Sequence, residues 1–157
     1  MIHSKINPIG IRPVTIDDLT LIFEWSNDEL TMANSFQQEP ILFDAHSDWF
    51  KARLKDKHKH SFICTFRDEQ AAFLRLDQED DHAIIGINIA PEFRGKGLSS
   101  GFLKKAHQTI SHLIPKIKIR ALIKNQNTPS IKSFERAGYR FISNTVVEGV
   151  KTLIYQL

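Results

Sequence analysis

Residues 84–105, IIGINIAPEFRGKGLSSGFLKK, decide the fold. Ile84, Ile85, Ile87 and Ile89 form a β-branched run that ends at Ala90-Pro91, and an amphipathic segment begins near Leu98. β-Branched side chains suit a strand. The order is therefore strand, glycine-bearing turn, helix, with Arg94-Gly95-Lys96-Gly97 in the turn. Gly95 and Gly97 lack a Cβ, so a ligand can come close to the main chain. The leading amides of the next helix have no intrahelical partner and carry the positive end of its dipole. That arrangement binds phosphate. Arg94 and Lys96 add two cations, and the turn is expected to cradle a diphosphate.

Three phosphate-binding patterns can be laid on this turn. A Walker-type loop requires Gly-Lys followed by Ser or Thr, whereas Gly95-Lys96 is followed by Gly97. A dinucleotide fingerprint accepts Gly95-x-Gly97, with Gly101 as a loose third glycine, but wants an acid about 20 residues on. Lys118, Ile119 and Arg120 stand there instead. The third pattern is Arg/Gln-x-x-Gly-x-Gly/Ala after a strand. Arg94-x-x-Gly97-x-Ser99 matches it except at the last position, where Ser99 is still small. With the preceding residues 87–93, INIAPEF, it resembles the coenzyme A turn of the GNAT superfamily of N-acetyltransferases. A second segment, NTPSIKSFERAGYRF at residues 127–141, resembles that family's Asn-x-x-(Ser/Ala)…Tyr-Glu-Lys-x-Gly-Phe stretch.

Composition sets the bounds. The chain has 157 residues, 41% hydrophobic and 25% charged, which suits one soluble domain spanning residues 1–157. No apolar run approaches the ~20 residues of a membrane span, and residues 1–8, MIHSKINP, lack the apolar core of a signal peptide. The single cysteine, Cys64, excludes an internal disulfide and suits a reducing, cytoplasmic setting. A formal charge of +3 is too small to argue for nucleic acid. No membrane or nucleic-acid partner is expected.

Taken in order, residues 9–14 predict an edge strand limited by Pro13. Thr15 is expected to cap a helix with Asp18 three positions on. Leu19, Ile22, Phe23 and Leu30 give helical spacing, and residues 25–28 end that helix. A polar loop, 34–40, precedes a second helix in which Asp44 is the cap and Trp49, Phe50 and Leu54 form the apolar face. Residues 55–60, with His58 and His60 among lysines, read as a solvated connection rather than a metal site. Strands are expected at 61–66 and 71–76, then an acidic turn at 77–81 without a calcium-loop glycine. No metal is expected. Further strands follow at 83–90, 116–124, 139–143 and 146–156, the last two joined near Asn144-Thr145, and a short helix at 128–137.

The resulting order is β-α-α-β-β-β-α-β-α-β-β. It is the segment order of GNAT domains, and the resemblance implies an α/β fold with a mixed, mostly antiparallel sheet splayed between its fourth and fifth strands. It further implies acetyl-CoA as co-substrate and direct attack by an amine in a ternary complex. Main-chain groups of Ile87 and Ile89 would hold the pantetheine, and the Ile89 amide would stabilise the thioester oxyanion. Amides from Arg94 through Gly95, Lys96, Gly97 and Leu98 to Ser99 would hold the diphosphate, and Asn127 would meet the pantetheine arm. Phe134 stands where the family often has a tyrosine acid, so it walls the channel without protonating the thiolate. Tyr139 is a substitute acid or a packing residue.

Asn88 is polar within an apolar strand, and either orients a catalytic water or is a satisfied amide. His46 and His82 are the candidate bases. Trp25-Ser26-Asn27-Asp28 and His46-x-x-Trp49-Phe50 resemble the branch that acetylates nucleotide-linked amino sugars, including the N-acetyltransferase of pseudaminic acid biosynthesis. Trp25, Asn27, His46 and Trp49 would then contact the substrate; equally, the tryptophans are core residues of two packed helices. Ser26 departs from that branch's Trp-Arg-Asn. The branch acetylating N-termini of ribosomal proteins shares the same layout. A non-catalytic acyl-CoA-binding module, and a possible homodimer, complete the set of expectations.

Overall fold

A computed structural model describes residues 7–36 and 39–157; residues 1–6 and two positions of the polar loop fall outside. Among the described residues seven strands form one sheet in the order β1-β2-β3-β4-β5-β7-β6. They are β1 (Ile9–Pro13), β2 (Lys59–Phe66), β3 (Glu69–Gln78), β4 (His82–Ile89), β5 (Lys118–Lys124), β6 (Arg140–Val147) and β7 (Val150–Gln156). The helices are α1 (Leu19–Ser26), α2 (Glu29–Asn34), α3 (Phe43–Lys55), α4 (Ser99–Leu113) and α5 (Thr128–Arg136). All strand pairs are antiparallel except β4–β5. The mixed, splayed GNAT-like sheet expected from the sequence is the one observed.

The core forms where strand and helix periods both turn apolar side chains inward. Leu74 and Leu76 of β3, Ile85 of β4 and Ile119, Ala121 and Ile123 of β5 are buried. Phe102, Leu103, Ala106 and Ile110 give α4 one apolar stripe, and each buried side chain of Leu or Phe size contributes roughly 1.5–3 kcal/mol. Gly101 belongs to this packing. A Cβ there would stand 2.6 Å from Ile9 Cδ1, so its absence lets α4 close on β1.

Four expectations need correction. Asp28 starts a separate helix, α2, by accepting from the Thr31 N–H at 3.2 Å, and Leu30 therefore leaves the α1 face and is exposed. Asp44 lies in the first turn of α3, whose N-cap is Leu42. The inward face of α3 is His46, Ser47, Phe50 and Arg53, with Trp49 and Leu54 outside. Arg53 is tolerated there because Ser61 Oγ, Asp77 and the His60 carbonyl take its guanidinium hydrogens. The last hairpin turns at Glu148-Gly149, both at positive φ (49° and 76°), not at Asn144-Thr145, which lie within β6 and pair with Leu153 and Thr152 of β7.

The hairpin turn gives a direct check. Gly149→Ala forces a Cβ into the left-handed region and is expected to cost about 1 kcal/mol. The measurement is a lowered urea midpoint with an unchanged m-value.

Candidate active site

Two features define the site: the turn after β4 and the wedge between β4 and β5. Past Ile89 the chain makes a short 3₁₀ turn, Pro91–Phe93, and reaches Gly95 and Gly97 with φ of 72° and 70°. A Cβ at either glycine would meet no protein atom within 4 Å, so the concave side is open to a ligand. The helix then starts without a side-chain cap. Its first intrahelical bond runs from Phe102 N–H to the Leu98 carbonyl at 3.0 Å, leaving the amides of Ser99, Ser100 and Gly101 without intrahelical acceptors. Fifteen residues of dipole stand behind them. These donors fit a diphosphate.

Lys96 Nζ lies 5.5 Å from the Phe93 ring centroid. The Arg94 guanidinium is used elsewhere than the turn's concave side. It donates to Asp28 Oδ2 at 2.6 Å, to Thr31 Oγ1 at 2.9 Å and, through Nε, to the Ile89 carbonyl at 3.2 Å. The expectation that its charge meets the phosphates is therefore replaced by a contact between the turn and α2.

The wedge follows from register. β4 and β5 pair only at His82–Lys118, Ala83–Ile119 and Ile84–Arg120. Beyond that point β4 continues with β3, and β5 with β7. The Ala90 N–H bonds the Ala71 carbonyl at 2.8 Å, which fixes the phase of the ladder. The backbone groups of Ile87 and Ile89, one residue out of phase, face away from β3 into the wedge. On the other bank Asn127 caps α5, its Oδ1 accepting from the Ser130 N–H at 3.3 Å. Phe134 of α5 is buried, edge-on to Tyr139 at 4.9 Å between centroids.

Several predicted side chains do structural work. Asn88 donates through Nδ2 to the Trp25 carbonyl at 3.2 Å and accepts at Oδ1 from the Thr31 hydroxyl at 2.8 Å. It is a satisfied anchor between β4 and the helices above it. Asn27 exchanges two hydrogen bonds with the Ile41 backbone, at 3.0 and 2.9 Å, and so fastens the loop before α3. Trp25 is buried. The His46 ring is 1% exposed, among Phe23, Trp49 and Phe50; burial depresses its pKa, with a bond to the Leu19 backbone opposing. Of these four expected substrate residues only Trp49 is appreciably exposed. His82 begins β4 beside Asp81, seven residues from Ile89, or roughly 23 Å at ~3.3 Å per residue.

Tyr139 is also excluded as a free acid. Its hydroxyl meets His107 Nε2 at 2.7 Å, and burial raises the phenol pKa well above its usual value. Burial lowers that of His107 to about 4, so the pair is neutral. Cys64 is fully buried and its thiol is pushed up to about 12. It cannot serve as an acyl-carrying thiolate.

The sequence reading missed one cavity. A space of about 520 Å³ lies at the carboxyl end of β5, walled by Ala33 and Asn34 of α2, residues 124–127 and the β6–β7 hairpin through Lys151. Its described lining contains two lysines, Lys124 and Lys151, and no carboxylate. The polar run Lys124-Asn125-Gln126-Asn127 after a clear strand was the available signal. The Asp28-x-x-Thr31 capping pattern was the signal for α2.

An α/β fold with a splayed sheet, an amide-lined turn and bare strand-end amides is the architecture of a coenzyme-A-dependent acyltransferase. The model of the acetyltransferase (GNAT) domain matches residues 9–140, and the chain belongs to that family. It is an acetyl-CoA-dependent N-acetyltransferase, not a non-catalytic module. Spermidine N(1)-acetyltransferase of Escherichia coli K12 is 24% identical over 135 residues, 83% of this chain and 72% of that one. The structure of spermidine N-acetyltransferase from Vibrio cholerae, in complex with CoA and spermine, superposes with a TM-score of 0.84 at 20% identity, covering 96% and 95% of the two chains. The aminoglycoside acetyltransferase AAC(6')-Ib in complex with coenzyme A gives 0.82 at 14% identity, covering 95% and 94%. These relatives are named for polyamines and aminoglycosides, not for the amino-sugar or ribosomal-protein substrates of the branches that the sequence resembles.

Two outcomes are expected. Gly97→Val places a branched side chain on the open side of the turn and strains a backbone held at φ 70°. Calorimetry should therefore show coenzyme A affinity reduced tenfold or more in a protein that still folds but with a lowered unfolding midpoint. The second concerns Asp28, whose pKa is lowered chiefly by its bond to Arg94. A depressed folded-state pKa stabilises above the ordinary value of ~3.9 and is lost as pH falls through the depressed value. Unfolding measured from pH 5 downward should show a shallower loss for Asp28→Asn than for the parent.

Proposed function

We propose that this acetyltransferase acetylates a primary amine on a small anionic molecule, a nucleotide-linked amino sugar fitting best, by direct attack in a ternary complex. The observation that carries the acceptor class is the cavity with Lys124, Lys151 and no carboxylate among its described lining. Two unit charges ~4 Å apart interact by about 1 kcal/mol in water and ~4 kcal/mol near a protein surface. Such a lining repels a polyamine and attracts a diphosphate-bearing amine.

When bound, acetyl-CoA supplies the activated acyl thioester. The amides of residues 95–101 hold its diphosphate, Asn127 and Phe134 bound the channel, and the Ile87 and Ile89 main chain orients the acyl end. The Ile89 amide lies where a donor stabilises negative charge developing on the carbonyl oxygen, an effect worth about 3–4 kcal/mol per donor. Holding both reactants supplies a further share, up to ~7–11 kcal/mol. Direct attack fits a chain whose single thiol is buried and protonated.

Among the described residues the cavity lining holds no carboxylate or imidazole, and the acid of the turn, Glu92, is exposed to solvent. Asp28 is held by Arg94. The ammonium proton, and the second proton that nitrogen sheds as the amide forms, therefore leave to water, and the thiolate departs unprotonated, which a thiol pKa near ~8.5 permits.

The test is thiol release from acetyl-CoA with three amines: an amino sugar carried on a nucleoside diphosphate, spermidine, and a peptide beginning with Ala or Ser. The first should be turned over best, and Lys151→Glu should lower its kcat/KM about tenfold. Preference for spermidine, or for the peptide, overturns the acceptor reading. For the favoured amine, log kcat/KM should climb with pH at unit slope below the amine's own pKa, without a further inflection between pH 5 and 8.

A further inference from the structure

Helix α2 has six residues, too few to hold itself in place. Four side chains fix it instead. Asp28 Oδ2 receives both the Thr31 N–H that starts α2 and Arg94 Nη2. The Thr31 hydroxyl has one hydrogen. Its 2.8 Å contact with Asn88 Oδ1 is shorter than its 3.3 Å contact with Asp28, so it donates to Asn88 and accepts from Arg94. Asn88 passes the connection to the Trp25 carbonyl at the end of α1. Arg94 Nε closes the set on the carbonyl of Ile89, the residue whose amide faces the wedge.

The two ends of this network do different work. Arg94 immediately precedes Gly95, the start of the amide cradle. The far end of α2 supplies Ala33 and Asn34 to the acceptor cavity, and the Ala33 carbonyl accepts from Lys124 Nζ at 3.1 Å. The Arg94–Asp28 pair spans 66 positions of sequence with both side chains about three-quarters shielded from solvent. It is thus better shielded from water and salt than an exposed ion pair.

We propose that Arg94 and Asp28 are positioning residues that lock the acceptor wall to the coenzyme turn. The guanidinium is not a phosphate ligand. It transmits the placement of the turn to α2, so that the acceptor amine is aligned when the coenzyme is held. The inference rests on the cavity beside α2 being the acceptor site. By linkage, coenzyme and acceptor then each tighten the other's binding by the same factor.

The test uses Arg94→Ala, Asp28→Ala, the double variant and Arg94→Lys, each assayed with whichever amine the parent turns over best. Coenzyme A affinity by calorimetry should stay within threefold of the parent in all of them. The acceptor KM should rise, and kcat fall, at least tenfold in each alanine variant. The double variant should be no worse than either single one, because both remove one device, and Arg94→Lys should recover part of kcat by restoring the charge. In hydrogen exchange, coenzyme A should increase protection of the α2 amides in the parent and not in Arg94→Ala; this readout needs no acceptor. A tenfold loss of coenzyme affinity in Arg94→Ala with unchanged acceptor KM would make Arg94 a phosphate ligand and overturn the proposal. So would additive effects of the two single changes, or no coenzyme-dependent protection of α2 in the parent. A parent that prefers a different amine alters the acceptor class but not these comparisons.

Discussion

Everything in the site depends on a sheet that stops pairing early. Parallel ladder bonds between β4 and β5 last three residues. Had they continued, the amides of Ile87 and Ile89 would be spent on β5, and the wedge would be core. The divergence leaves donors bare at the centre of a rigid sheet, where reorganisation is small and preorganised dipoles are most effective. The two strands separate without loss of order because each keeps an antiparallel partner on its other side, β3 for β4 and β7 for β5. Within the sheet's interior, the unpaired polar backbone is thereby confined to the wedge.

The same economy governs the turn. Gly95 and Gly97 adopt left-handed φ, and α4 begins without a side-chain cap. A natural cap such as Ser or Asp would satisfy one leading amide and occupy the space an anion needs. Leaving it out costs about 1 kcal/mol of helix stability. The buried stripe of Phe102, Leu103, Ala106 and Ile110 readily offsets that. Binding capacity is retained because packing on the far side of the helix makes the near side's capping dispensable.

How much of this was legible in the sequence varied with the range of the interaction. The strand–turn–helix unit, both glycines and the segment order follow from local periodicity and backbone preference, which a single chain displays openly. The splay came from family resemblance, since no residue type announces the end of a parallel ladder. Side chains were misjudged where a distant partner decides their role. Arg94 reads as a phosphate cation until Asp28, 66 residues away, is placed against it. Asn27 and His46 read as substrate contacts until the Ile41 backbone and the ring of Phe23 are seen around them. Trp49 and Phe50 are adjacent and equally apolar, yet helical phase puts one at the surface and the other in the core. The Asp28 cap was locally visible, but a six-residue helix offers too little periodicity to confirm it.

Likeness of fold and likeness of substrate separate here for a physical reason. The backbone of β4, the turn and α4 can serve any acetyl-CoA-dependent transfer, because coenzyme A presents the same phosphates and thioester whichever amine attacks. The superposition on the polyamine and aminoglycoside enzymes covers nearly the whole chain, that part included. On the acceptor site proposed above, choice falls instead to the side chains at the carboxyl end of β5, the end of α2 and the last hairpin, where one charge reversal changes the electrostatic energy by several kcal/mol without moving a main-chain atom. Lys124 illustrates the point. It ends β5, adds positive charge to the cavity and donates to the Ala33 carbonyl at the carboxyl-terminal end of α2. A residue that both holds α2 and adds charge to the cavity cannot be changed for one purpose alone, so on this proposal the wall and its electrostatics are tied together.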